Sequence, residues 1–120
     1  MEFKEYFQRE FSPKETMSQI FEYGDPETIV DDWDIHREIG QYQDNEGCIK
    51  GMVFKLNHRN YTDCILITLD WDDTYHLRFM DEDKNVTKEF EGVYFDKLFE
   101  TINDYINIGI LTTIPKEQLN

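Results

Sequence analysis

The residues of this chain best able to do chemistry are its carboxylates, and they come in tight groups: Asp31-Asp32-Trp33-Asp34, Asp70-Trp71-Asp72-Asp73 and Asp81-Glu82-Asp83. Carboxylates this close together can hold a divalent cation, act as an acid and a base, or present negative charge to a basic partner. Asp81-x-Asp83-x-Asn85 opens like a calcium loop, but the sixth position is Val86 where the sharp turn needs glycine. The twelfth is Gly92 where a bidentate glutamate is needed. A hairpin turn accounts for the segment. Asp70 to Asp73 reads as a strand end followed by a solvated turn, and a metal there would need ligands from elsewhere. With 26 acids in the chain, no one pair stands out for acid–base work.

The sulfur and imidazole groups are sparse. His36, His58 and His76 and the thiols Cys48 and Cys64 lie six or more residues from one another, whereas zinc sites use close pairs about two to five apart. A Cys64–His76 nucleophile pair across neighbouring strands is conceivable, but nothing in the sequence marks either group as activated. Buried free thiols and strand-surface histidines are the expectation. No phosphate-binding loop, dinucleotide fingerprint, Gly-x-Ser-x-Gly or His-Glu-x-x-His occurs. No cofactor, no metal and no catalytic residue is assigned.

What remains is charge. The 26 acidic and 12 basic residues leave a formal net charge of −14 on 120 residues, which repels nucleic acid and anionic membrane and attracts proteins with a basic working surface. The charge is uneven: Glu22 to Glu46 holds nine acids and one base, Arg37, and Asp63 to Asp83 holds seven acids and one base, Arg78. Between them, Gly47 to Thr62 carries Lys50, Lys55 and Arg59 and no acid. On one reading the basic strand offsets its acidic neighbours across a sheet, each pair contributing under about 1 kcal/mol. On the other, Asp31, Asp32 and Asp34 gather with Asp70, Asp72 and Asp73 into one negative face, joined by Asp81, Glu82 and Asp83 and anchored by Trp71. Alternate strand positions recur at a spacing commensurate with that of duplex phosphates. In size and charge the chain resembles small acidic proteins that inhibit nucleic-acid enzymes.

The elements that must position these groups read as one α+β domain over residues 1–120. Phe3, Tyr6, Phe7 and Phe11 fall near helical spacing and predict a short opening helix. Ser12-Pro13-Lys14-Glu15 is a helix start with N-cap, proline and capping box, and Met17, Ile20 and Phe21 form its inner stripe up to a stop at Gly24. Asp25-Pro26 repeats the signal, predicting a helical turn to Trp33 with Ile29, Val30 and Trp33 inward. That helical segment covers residues 1–33. From Ile35 the period becomes two, with strands at 35–42, 48–56, 61–70, 74–80 and 86–91 separated by turns too short for crossover helices. They predict a five-stranded antiparallel meander with the apolar third strand central. An amphipathic helix over 94–108 then packs Phe95, Leu98, Phe99, Ile102, Tyr105 and Ile106 on the sheet and stops at Gly109. Ile110, Leu111 and Ile114 form an apolar tail.

Neither a secretory signal nor a membrane-length apolar run is visible, so a cytoplasmic location is expected, and the sequons at Asn60 and Asn85 have no role there. Trp33 and Tyr75 belong in the core, while Tyr42, Tyr61 and Trp71 could anchor an interface. The expected function is a non-catalytic acidic module that blocks the basic nucleic-acid-binding surface of a partner. Phage or mobile-element antagonists of restriction or CRISPR nucleases, and immunity proteins of nuclease toxins, work in this way. The alternative is an acidic accessory domain whose charge serves solubility, or a small metal protein or enzyme.

Overall fold

A computed structural model describes residues 3–35, 40–58 and 61–113, with side chains described to residue 107. Strands β1 (Gly40–Gln43), β2 (Ile49–Lys55), β3 (Cys64–Leu69), β4 (Tyr75–Met80) and β5 (Val86–Val93) form one antiparallel sheet in chain order. Two helices, α1 (Pro13–Glu22) and α2 (Leu98–Thr113), pack on it, giving the expected α+β architecture. Of the first expected strand, Ile35 is not in the sheet, and residues 36–39, His36 among them, lie outside the described residues.

Register divides the side chains of the sheet into two layers. Met52, Ile67, Leu77 and Phe90 make one cross-strand row, and Phe54, Ile65, Phe79 and Lys88 the next. Their apolar members join Ile20, Ile29, Trp33, Leu98, Ile102 and Ile106 in the core beneath the helices. The opposite layer carries Leu66, Arg78 and Glu89 in one row and Thr68 with His76 in another. All six residues of β4 are buried, so this strand needs cover on both faces.

The helix starts are built as their sequences dictate. Ser12 Oγ accepts the Glu15 N–H at 3.2 Å with Pro13 in the first turn. Asp25 accepts the Glu27 N–H at 3.3 Å and the Thr28 hydroxyl at 2.8 Å, opening a helical turn that widens to a π-helix over Thr28–Asp32. Ile29 and Trp33, four residues apart, share the buried side. Val30, a third of a turn further round, is 59% exposed instead of inward. Phe21 also points out, and buried Thr16 takes a place on the inner stripe of α1. Gly24 has no left-handed backbone; a Cβ there would stand 2.3 Å from the Phe99 ring, so the glycine admits α2 against the end of α1.

Two helical expectations are corrected. The opening segment is a single 3-10 turn, Phe3–Tyr6, followed by extended chain in which Arg9 N–H bonds Leu69 O at 2.9 Å and Phe11 N–H bonds Ile49 O at 3.0 Å. A helix would hold Phe7 and Phe11 on one side. The extended chain instead lays Phe7 against Gly51 on the second face, while Phe11 meets Tyr75 on the helix face. At the other terminus, Phe95 lies in a 3-10 turn (Phe95–Lys97) ahead of α2 and is exposed against Tyr23. Gly109 does not stop α2, which runs on to Thr113; a lone interior glycine costs a helix only about 1 kcal/mol. Of the expected tail, residues 110 and 111 lie within α2 and Ile114 is outside the described residues.

Two tyrosines are structural. Tyr61 is half-buried with its ring edge-on to Phe79; its hydroxyl lies 2.7 Å from the carbonyls of Cys64 and Met80 and accepts the Met80 N–H at 2.9 Å. Buried Tyr75 places its hydroxyl 2.9 Å from Thr16 Oγ1 and 3.1 Å from Gln19 Oε1, tying β4 to α1. Burial pushes both phenols above their ordinary value. Replacing Tyr61 by Phe should cost about 1–3 kcal/mol at neutral pH, because backbone groups lose a buried partner. The folded state also keeps these protons where the unfolded chain loses them, so stability should fall as pH rises past about 10, by about 1.4 kcal/mol per unit per tyrosine. Urea denaturation from neutral pH upward checks both effects: Tyr61→Phe should show lower neutral stability and a shallower alkaline decline.

Candidate functional site

Three of the hairpin turns share one construction. The N–H of Asp44, Asp70 and Asp81 bonds the carbonyl four residues on, and the N–H of Gly47, Asp73 and Lys84 bonds back to that Asp. Gly47, Asp73 and Lys84 all have left-handed backbones, φ 86, 68 and 68. This is the geometry of a type I turn followed by a left-handed residue, which matches the twist of the strands. In two of the turns the leading carboxylate completes the loop. Asp44 Oδ1 accepts from Glu46 and Cys48 N–H at 2.9 and 3.0 Å, and Asp81 Oδ1 from Asp83 and Asn85 N–H at 2.9 Å each.

The β3–β4 turn departs from that pattern. Here Asp72, not Asp70, accepts from Thr74, at 3.1 Å from the N–H and 2.6 Å from the hydroxyl. Those bonds hold the Asp72 carboxyl below its ordinary value. Asp70 turns instead toward the sheet, its Oδ2 3.6 Å from His76 Nδ1 and its Oδ1 buried without a hydrogen-bond partner. His76 Nε2 donates to Glu89 Oε1 at 2.9 Å. Arg78 donates to Thr68 Oγ1 at 3.0 Å and lies 3.4 Å from His76 Nδ1. Its Nε is 3.2 Å from Glu89 Oε1 in ion-pair contact without hydrogen-bond geometry, and its guanidinium centre sits 4.0 Å from the Tyr6 ring centre. Burial draws the Arg78 pKa down while Glu89 and Asp70 hold it up. The group is a charge network, buried at His76 and Arg78 and half-exposed at Glu89, roofed by an aromatic ring.

The opening segment locks the turn in front of this network. Gln8 Oε1 accepts the Trp71 N–H at 2.9 Å, and Arg9 forms an ion pair with Asp73 while its backbone bridges to Leu69. Trp71, on this braced turn, is 70% exposed, the most exposed large apolar side chain among the described residues. The other interface aromatics considered from sequence are Tyr42, exposed and edge-on to Phe3, and Tyr61, committed to the sheet. Trp33 is fully buried, stacked on Phe99 at 5.1 Å with its Nε1 donating to Asn103 at 3.0 Å.

Chain reversal sorts the acids onto two ends of the sheet. At the end formed by the β1–β2 and β3–β4 turns stand Asp44, Glu46, Asp70, Asp72 and Asp73. At the opposite end, Asp34 accepts a hydrogen bond from Asn57 at 3.0 Å, beside the β2–β3 turn, and Asp81, Glu82 and Asp83 form the β4–β5 turn. Asp31 and Asp32 are exposed in the π-turn that leads to Asp34. The six residues of β3 separate the two ends, about 20 Å at a strand's rise. Asp31, Asp32 and Asp34 therefore stand apart from Asp70, Asp72 and Asp73, and each acidic stretch of the sequence is divided between both ends. Lys50 offsets Asp44 at 3.0 Å across the β1–β2 hairpin.

The thiol and imidazole expectations are revised. Cys48 and Cys64 are half-buried free thiols, and the nitrogen near Cys64 Sγ is Lys84 Nζ at 3.6 Å. His76 faces Thr68, four positions along β3 from Cys64, roughly 13 Å at a strand's rise, so the two cannot act as a pair. His58 and His76 are buried, not on strand surfaces. Sequence reasoning passed over Arg78 and His76 as site residues, yet the signal is present: alternation through Tyr75–Met80 puts both on the face opposite Tyr75, Leu77 and Phe79.

No protein-family model, curated protein or solved structure matches this chain. Among the described residues, no cluster of three His, Cys, Asp or Glu could hold a metal ion, and no helix is long and apolar enough to cross a membrane.

Arg78→Met should destabilise the fold by about 2–3 kcal/mol, since it leaves the Asp70 carboxylate and the Thr68 hydroxyl buried without their cationic partner. Glu89→Gln, at a half-exposed position, should cost less than about 1 kcal/mol. Chemical denaturation of the two variants checks the ranking; equal losses would mean that the network carries no special burden.

Proposed function

We propose that this is a non-catalytic, cytoplasmic protein-binding module that occupies the basic, nucleic-acid-binding surface of a partner protein. The observation that carries the reading is Trp71: a 70% exposed indole on a turn braced by Gln8, Arg9 and Thr74 and flanked by Asp72 and Asp73. A braced backbone spares the turn some loss of freedom on binding, and the indole it carries supplies the large contact area typical of interface anchors. The carboxylates beside it, on a chain of net charge −14, raise the encounter rate with a cationic surface and repel nucleic acid and anionic lipid. The same charge matches the surface that a nuclease or effector offers to phosphates. The opposite acidic end, Asp34 with Asp81, Glu82 and Asp83, can contact the same partner about one strand length away.

Capture from lysate on the immobilised protein at low salt should retain a basic nucleic-acid-binding protein, and duplex DNA should compete for it. Trp71→Ala should weaken retention about tenfold or more, mainly through faster dissociation. Asp72→Asn with Asp73→Asn should slow association and flatten its salt dependence while keeping the acceptor for Thr74. Absence of any basic partner at low salt, or retention indifferent to both changes, would overturn the reading.

A further inference from the structure

A second binding surface lies at the far edge of the sheet. β5, eight residues long, is the last strand in the order, and no described residue pairs with its outer edge. Its unmatched backbone N–H and C=O groups are a template for one more strand. Alongside, on the helix face, a groove of about 500 Å³ runs between β5 and α2, lined by Lys88, Phe90, Thr101, Asp104 and Tyr105. Phe90 and Tyr105 form its apolar floor, their rings 5.6 Å apart and both against Phe79. An open strand edge beside a groove under a helix is the arrangement in which an extended peptide adds as a strand and drops alternate side chains into the groove.

We infer that β5 and the groove bind an extended protein segment of alternating basic and apolar residues as a sixth strand. Charge decides the occupant. Phe90 faces the groove, so Glu89 and Glu91 face the other side, where alternate residues of an incoming strand meet them. Lysine or arginine there meets the carboxylate of Glu91 and the oxygen of Glu89 that His76 and Arg78 do not hold. A second copy of this chain does not fit: antiparallel pairing of β5 with itself, helices on one side, sets Glu89 against Glu89 or Glu91, on molecules each carrying −14. The groove takes the intervening apolar side chains beside Asp104 and Lys88, whose ammonium lies 5.2 Å from the Phe90 ring centre. This inference rests on the edge and the groove and is independent of the Trp71 turn.

The probe is a short synthetic peptide alternating lysine and valine, with a glutamate–valine peptide as control. Followed by NMR amide exchange, the lysine peptide should slow exchange of β5 amides and shift the Phe90 and Tyr105 signals, whereas the glutamate peptide should do neither. Thr101→Trp, which fills the groove from the helix, and Glu91→Lys, which reverses the charge at the exposed edge, should each weaken binding about tenfold. Trp71→Ala should leave it unchanged, so the two surfaces can fail separately. Slowed exchange confined to the acidic turns, equal binding of the two peptides, or full affinity in folded Thr101→Trp would overturn the inference.

Discussion

Arg78 imposes the constraint on which the second face of the sheet depends. Its charge cannot be titrated away near neutral pH, and its strand is covered on both sides. A buried guanidinium needs anions and acceptors in place, and the sheet supplies them by register: Thr68 and His76 one step along, Glu89 directly across. The remaining open side is the cation's flat surface, and Tyr6 closes it. That stacking requires the chain before α1 to run back over the sheet, which in turn places Gln8 and Arg9 against the β3–β4 turn. The brace under Trp71 follows from the burial of one arginine.

The same requirement explains why the leading aspartate of one turn behaves unlike its equivalents. Asp44 and Asp81 spend their carboxylates on their own loops. Asp70, adjacent to the buried cation and His76, is drawn inward, and Asp72 takes over the hydrogen bonds to Thr74. Asp72 and Asp73 then flank an exposed indole at the tip of the turn. Many of the chain's acids are employed in this local way, which limits how many remain free for a partner. Asp72 and Asp73 are engaged in the same way, with Thr74 and Arg9, so what they offer beyond the turn is their field more than free acceptors.

Local chemistry was legible in the residues. Ser12-Pro13, Asp25-Pro26 and the period-two stretches each specify their element through contacts within a few positions. The meander follows because its turns are too short for anything else. Less legible were features set by distant partners. Phe7 and Phe11 have helical spacing, yet the two faces of a sheet claim one each, and no local pattern announces that. Gly24 looks like a helix stop and is needed for Phe99, 75 positions later in the chain. The division of the acids between two ends depends on strand direction, which alternates hairpin by hairpin and scatters residues that are neighbours in sequence. The buried Arg78 network was readable in principle, because a basic residue in a central strand must find anions across the sheet.

For a partner of the proposed kind, two acidic ends about one strand apart, beside an edge strand that no described residue pairs, suit an extended molecule better than one that inserts into a single pocket. Carboxylates on exposed turns are strongly hydrated, and each pair formed there contributes under about 1 kcal/mol, so steering alone gives speed without a long-lived complex. Persistence has to come from desolvated contact, and the molecule offers that in two places: the indole of Trp71 and the Phe90–Tyr105 groove. A basic protein that docks on the acidic ends and lends one strand to β5 would use both at once. The second contact would then form at the high effective concentration set by the first, so modest surfaces could together hold a partner that neither holds alone.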